Sequence, residues 1–450
     1  MNRWLVLTEG KSVGLFDPLD LVRPPFMLRD GAWTVAERWI ELLQPTVVVA
    51  AVRPWLAAAV AEATAWHLNR VPAGDTPDDV WILNGLVNPA EDPRWNNLSL
   101  PPLFTWSEGE TQVMRLPSTA FAGVLPGLRP WIESGAQSAI PVSPVPPTAS
   151  LPLQAPSGPW HLVNGLNKRL LFDWQLWNRS ALRRVSAEHD PEAEGRLGIV
   201  VLGEESVWRG RDVLLHPHVV IDARSGPVWL DDGVEIESFA RIDGPAYIGA
   251  GTSLLGGKLT GGGVLGPGCK IGGEWEAAIA QGFANKAHAG FFGHGILGEW
   301  VNLGAMTTNS DLKNTYGTVR VERQGIGVET GLMKVGSYLA DHTKTGIGTL
   351  IPTGAAWGVG VNLFGGGLGP KSIPSFIWGD PGALTEHHLD RMLTTADVAV
   401  SRRAGMLERI GRPAKLTEPQ SQVLRTVFER TARMRADFLS RRSSGHSTRG

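Results

Sequence analysis

The chain has 450 residues, with 42 Lys and Arg against 44 Asp and Glu, a formal net charge of −2. That length buries one or two large cores without disulfide or metal staples, and so balanced a charge gives no global field for nucleic acid or an anionic membrane, so partners are to be met at local sites. A single cysteine, Cys269, allows no internal disulfide and cannot alone build a thiolate zinc or iron–sulfur site, which points to the cytoplasm.

The start, Met-Asn-Arg-Trp-Leu-Val-Leu-Thr-Glu, meets Thr8 and Glu9 too soon for a secretory apolar region. No run approaches the roughly eighteen apolar residues of a membrane helix, so the expectation is a chain neither exported nor anchored. The 55 glycines and 32 prolines call for many tight turns. Residues 1–185 mix short β-like runs (4–7, 46–52, 80–83) with helical patterns (34–43, 55–65, 160–177), the alternation of an α/β, Rossmann-like sheet domain. Within it, residues 138–159 are too proline-rich for helix or central strand and read as an extended connector.

From residue 196 to 380 the pattern changes. Leu230, Ile236, Ile242, Ile248 and Leu254 are aliphatic at a spacing of six, as are Leu265 and Ile271, and Leu297 and Leu303. Val335, Asp341, Ile347, Thr353 and Val359 keep the same step, with glycine following four of them. Period six is the hexapeptide repeat of a β-helix, in which three short strands make one triangular coil and an aliphatic residue from each enters a shared core. The alternative is an all-β sandwich with accidental spacing. Residues 309–333 break the period and should leave the prism as a loop, where function concentrates. Residues 381–441 carry apolar residues at helical spacing and predict two amphipathic helices; 442–450 read as a disordered tail. The 18 tryptophans against 3 tyrosines are expected as core anchors.

The densest polar stretch runs Asn285-Lys286-Ala287-His288-Ala289-Gly290-Phe291-Phe292-Gly293-His294, continuing to Asn302-Leu303-Gly304-Ala305. It resembles the acyltransferase signature of the bifunctional N-acetylglucosamine-1-phosphate uridyltransferase/glucosamine-1-phosphate acetyltransferase family (GlmU-like). Members of that family join a nucleotidyltransferase domain to a left-handed parallel β-helix. His288 falls on the family's catalytic histidine, Phe291 on a tyrosine, and Asn302-Leu303-Gly304-Ala305 on its Asn-Ile-Gly-Ala coil. Asn309-Ser310-Asp311-Leu312-Lys313-Asn314, Gly331-Leu332-Met333, Asp341-His342-Thr343-Lys344 and residues 373–379 extend the match to the similar glucose-1-phosphate thymidylyltransferase-like group with a β-helical tail.

The resemblance implies that His288 is a general base taking a proton from a sugar amine as it attacks acetyl-CoA or another acyl-CoA, a role that suits imidazole. It assigns substrate contacts to Lys286, Phe291, Asn302, Asn309, Lys313, Asn314, His342 and Lys344. It also implies a homotrimer with sites between prisms and UDP-N-acetylglucosamine-type metabolism. For the N-terminal half it implies nucleotidyl transfer from a nucleoside triphosphate to a sugar 1-phosphate, with Mg²⁺, at Gly10, Lys11, Arg23, Arg29 and Asn84. Asn164 is a weak candidate for a metal position. Phe291 lacks the family's hydroxyl, Gly10-Lys11-Ser12-Val13-Gly14 does not reproduce its glycine loop, and Leu83-Asn84-Gly85 stands where a metal-binding Gly-Asp is usual. Three readings stay open: nucleotidyl transfer, acyl transfer at His288, and a catalytically degenerate sugar-nucleotide sensor or scaffold. His288 and His294 also have a plain reading as polar corner residues bonded to backbone.

Overall fold

The computed structural model describes residues 1–10, 13–74, 76–91, 101–108, 111–141, 156–180, 186–187 and 190–446. Most of the proline-rich connector, together with Lys11, lies outside them.

Near the N-terminus six strands form one sheet. In chain order come β1 (Arg3–Thr8), α1 (Val35–Leu43), β2 (Val47–Ala51), α2 (Ala57–Ala63), β3 (His67–Leu68), β4 (Asp79–Asn84), β5 (Phe104–Glu108), β6 (Thr111–Pro117), α3 (Ser118–Glu133), α4 (Trp160–Val163) and α5 (Leu166–Arg179). The order is β3-β2-β1-β4-β6-β5; β3, β2, β1 and β4 are parallel, while β6 and β5 run antiparallel at one edge. Strand alternation sorts the side chains. Leu5, Leu7, Trp81 and Leu83 pack with Trp39 and Leu43 of α1, whereas Trp4, Val6, Val80 and Ile82 pack with Phe121 and Leu128 of α3. Helices therefore cover both faces. Buried ions tie this layer together: Arg38 donates to Asp173 at 2.5 and 2.9 Å and to Asp30, which also pairs with Arg169 at 3.2 Å.

After the short α6 (Pro191–Arg196) the chain winds into a parallel β-helix. Neighbouring coils pair in register: Leu230 beside Ile248 beside Leu265, Ile236 beside Leu254 beside Ile271, and Ile221 beside Ile242 beside Leu259. These aliphatics are buried in one continuous core. Each contributes about 1.5–3 kcal/mol by leaving water.

The six-residue step holds from Leu339 to Leu363, but the phase expected for this part does not. The inward positions there are Leu339, Thr345, Ile351, Trp357 and Leu363, whereas Ile347 is 74% exposed. Gly348, Gly354 and Gly360 adopt φ of 67°, 68° and 65°, so those glycines mark the corners and not the residues after inward ones.

The insertion after Asn309 leaves the prism as expected and forms an antiparallel hairpin, Arg320–Arg323 with Ile326–Glu329. It reaches the N-terminal layer, where the Gln324 amide donates to Asp17 at 3.1 Å and Arg323 donates to Ser157 O at 2.8 Å. Between layer and prism lies a belt of aromatic rings: Trp33, Trp174, Trp177, Trp208, Trp229 and Tyr247, with Trp177 and Trp229 centroids 4.9 Å apart. The C-terminal segment has four helices where two are expected: α7 (Leu389–Ser401), α8 (Ala404–Arg409), α9 (Glu418–Arg430) and α10 (Ala432–His446). α10 runs past residue 441, so residues 442–446 are helical where a disordered tail is expected. α9 braces the two parts, setting Arg430 over Trp55 of the N-terminal layer at 4.2 Å while Phe428 meets Phe376 of the prism. No helix among the described residues is long and apolar enough to cross a membrane.

Candidate functional site

Residues expected to hold a nucleotide are spent on structure. Asn84 is fully buried; its Oδ1 accepts from Thr8 Oγ1 at 2.6 Å, and its amide donates to Gln112 Oε1 and Ser138 O. Gly10 lies directly above it, its N–H bonded to Ala136 O. Glu9, at the end of β1, is held by Arg53 through both backbone and guanidinium, at 2.5 and 2.9 Å. Arg23 pairs with Asp341 and, at 3.3 Å, with Glu299 of the prism. Arg29 bonds Gln281 by its backbone, donates to Ala32 O and lies over the Tyr247 ring. Among the described residues the trio of potential metal ligands that converges is Glu276, His294 and Asp311, far in sequence from these strand ends. An amide closed by a threonine and a glutamate closed by an arginine do not fit the Mg²⁺ of nucleotidyl transfer.

The prism residues divide. Lys286 occupies an inward, core position beside Ile271 and is 1% exposed. Its ammonium donates to His288 O at 3.0 Å, Gly290 O at 2.8 Å and Gly272 O at 3.4 Å, and burial lowers its pKa to about 8. It holds the corner and is not open to substrate. Asn309 is likewise buried, its amide bridging Gly293 N and O at 2.8 and 2.9 Å. Lys313 donates to Thr318 O within the insertion, and Asn314 is exposed. Phe291 is half-buried, its N–H bonded to Thr308 Oγ1. Asn302 accepts from Asn285 at 2.7 Å and is the register neighbour of Lys344 on the outer side of one prism face. His288 is exposed at the corner next to that face and lines neither the cavity that holds His342 nor the cleft that His294 borders. His342 is buried instead, in a cavity of about 250 Å³ with Arg23 and Arg29; burial lowers its pKa to about 3, so it stays neutral.

A second histidine meets an acid. His294 Nδ1 lies 2.7 Å from Asp311 Oδ2, and both are mostly buried. Burial raises the Asp311 pKa, but the bond to His294, the imidazole's charge and Lys334 outweigh it and hold the carboxyl below its ordinary range. Lys334 also pairs with Glu276 at 3.1 Å. His294 has φ of 49°, and Ala277 on the coil before it has 45°, so this backbone belongs to a prism corner and is not strain peculiar to the site. His294 borders a cleft of about 600 Å³ between prism and N-terminal layer, walled opposite by Asn164 to Lys168 at the start of α5 and at one end by Leu332 and Met333 of the insertion. Gly262 allows this close approach, because a Cβ there would stand 1.8 Å from Asn167 Oδ1. Asn164 thus lines the cleft, with no acidic ligand beside it among the lining residues. An imidazole oriented by a carboxylate at the edge of a roomy cleft can take a proton from an alcohol or amine.

No family model matches the chain. One curated relative, a bifunctional sugar-1-phosphate nucleotidylyltransferase/acetyltransferase from Sulfurisphaera tokodaii, is 29% identical over 98 residues. That match spans 22% of this chain and 24% of the relative, so it covers about a quarter of the relative's length. Among solved structures, a UDP-N-acetylglucosamine acyltransferase from Arabidopsis aligns over 46% of this chain and 81% of its own at 11% identity and a TM-score of 0.23. AntD, an N-acyltransferase from Bacillus cereus held with dTDP-4-amino-4,6-dideoxyglucose and coenzyme A, aligns over 45% and 90% at 13% identity and a TM-score of 0.17. All three are transferases by name. The two superpositions are too distant to bear on the fold.

Proposed function

We propose that the chain is a transferase that moves an acyl group from an acyl-CoA to a sugar-linked amine or hydroxyl, with His294 as general base and Asp311 as its positioning partner. The observation that carries this reading is the 2.7 Å imidazole–carboxylate contact at the edge of the interdomain cleft. With Nδ1–H donated to Asp311, Nε2 is the basic nitrogen. It takes the proton of the acceptor as the acceptor nitrogen or oxygen attacks the thioester carbonyl. A tetrahedral oxyanion forms, the C–S bond then breaks, and the imidazolium returns its proton to the departing thiolate, leaving the acylated sugar and free coenzyme A. Sugar-1-phosphate nucleotidyl transfer finds less support, since Arg23, Arg29 and Asn84 are engaged elsewhere. The test is thiol release from acetyl-CoA in the presence of amino-sugar phosphates: the full chain should release coenzyme A in an acceptor-dependent way, and Asp311→Asn should slow it by about 10²–10⁴-fold. Acceptor-independent release, or an unimpaired Asp311→Asn, would overturn the assignment.

A second reading keeps the base at His288, in a left-handed prism assembled as a homotrimer. It is favoured by the register of Asn302 and Lys344 on the prism face beside His288, a polar surface that a neighbouring copy could complete.

A further inference from the structure

We propose that the cavity holding His342 is a binding site for an uncharged, mostly apolar molecule of about ten non-hydrogen atoms that carries a neutral amide head. The site shares no lining residue with the cleft beside His294, so the inference stands apart from the acyl-transfer reading.

The cavity, of about 250 Å³, lies where three parts of the molecule meet: α2 and the segment before α1, the prism corner at Asp341 and His342, and α9. Its wall is largely apolar, with Val22, Met27, Val60, Trp66, Val423 and Leu424. An apolar space of roughly 150 Å³ takes benzene, so this one has room for a ring with a short side arm. The charged residues lining it are matched among themselves. Arg23 pairs with Asp341 and Glu299, Arg412 lies 3.7 Å from Glu299, and Arg29 lies 3.7 Å from Glu37. Three cations thus meet three anions, so no net charge draws in a phosphate, a carboxylate or an amine, and a charged guest would lose its water there without gaining a counter-ion.

The independent sign of a ligand is a pair of buried nitrogens. His342 is 8% exposed and its Nδ1 has no hydrogen-bond partner; Arg23 Nε, from the N-terminal layer, is likewise buried and unpartnered. Both residues line the cavity. Buried polar atoms are rarely left so, and each is destabilising until something answers it. The backbone of His342 is fixed in advance, with φ of 61° at a prism corner and its N–H bonded to Glu299 O at 2.9 Å. Arg23 Nε–H is a donor, and Nδ1 of a neutral imidazole accepts or donates according to its tautomer. A primary amide, with a carbonyl oxygen and N–H groups on one planar head, answers both without bringing a charge.

Calorimetry on the full chain tests this with 3-phenylpropanamide and the carboxylate of the same size, 3-phenylpropanoate. The amide should bind saturably, one per chain, and at least tenfold more tightly than the carboxylate. Ala59→Trp fills the space from a half-buried lining position on α2 and should abolish that binding. His342→Phe removes the unpartnered nitrogen at a corner conformation that Phe239, Phe283 and Phe376 adopt elsewhere in the prism, with φ of 66°, 55° and 60°. It should weaken amide binding about tenfold. Melting temperatures report which variants are folded, and either one alone decides if the other fails to fold. No saturable binding of the amide, carboxylate binding as tight as the amide, or unchanged amide binding in a folded Ala59→Trp or His342→Phe variant would overturn the site; water alone at the two nitrogens gives the first of these results. Because no transfer is measured, each outcome counts for or against this site and leaves the acyl reading untouched.

Discussion

Asp311 stands seventeen residues after His294, and on this prism that is one turn of the coil, as Leu254 to Ile271 is. The signal for the pair was thus present in the repeat, but it is visible only once spacing is read around three faces. Motif resemblance points to His288, and residue type alone does not separate the two histidines; the orienting carboxylate does. Burial in the neighbouring contact makes a separate prediction. Asp17, with Asp20, Glu322, Arg323 and the Gln324 amide around it, has its pKa raised to about 7, first by burial and then by Asp20. A carboxyl raised in the folded state binds its proton more tightly there than in the unfolded chain, so its stabilising contribution is complete below about pH 4 and is lost as pH rises toward 7. Asp17→Asn keeps an oxygen for the Gln324 amide and removes the charge. It should melt higher than the unaltered chain at pH 8, by on the order of 2 kcal/mol, with the gap closing by pH 4 to 5 in a thermal melting series.

At the scale of elements, the six-residue rhythm specified the β-helix and the hairpin excursion, because periodic burial has a local sequence signature. The phase of the last coils was not legible: corner glycines and inward aliphatics share one period, and Ile347 lies outward while Thr345 lies inward. Nor could spacing show that Lys286 belongs to the core, since a buried ammonium is tolerated only where the corner offers it three carbonyls. Ile248→Ala, which empties a wholly buried rung position, should cost about 2–5 kcal/mol in chemical denaturation. Arg38→Met removes the cation between Asp30 and Asp173, leaves both acids buried without it, and should cost about 3–5 kcal/mol by the same measurement. Burial raises the Asp173 pKa even with Arg38 beside it to lower it, so losing that cation favours the neutral acid further.

The whole molecule is organised around the contact between prism and N-terminal layer, where the tryptophans expected as anchors do collect. The same contact absorbs the arginines assigned to a nucleotide: Arg23 reaches Glu299 and Asp341 across it, a long-range pairing that no local pattern could announce. Among the spaces the junction leaves open is the cleft beside His294, walled by α5 on one side and a prism corner on the other. The most direct measurement compares acceptor-dependent release of coenzyme A by His294→Ala and His288→Ala side by side. Loss of at least a hundredfold in His294→Ala, with His288→Ala close to the unaltered rate, is the expected result. The reverse pattern would move the chemistry to the exposed prism corner and contradict the account.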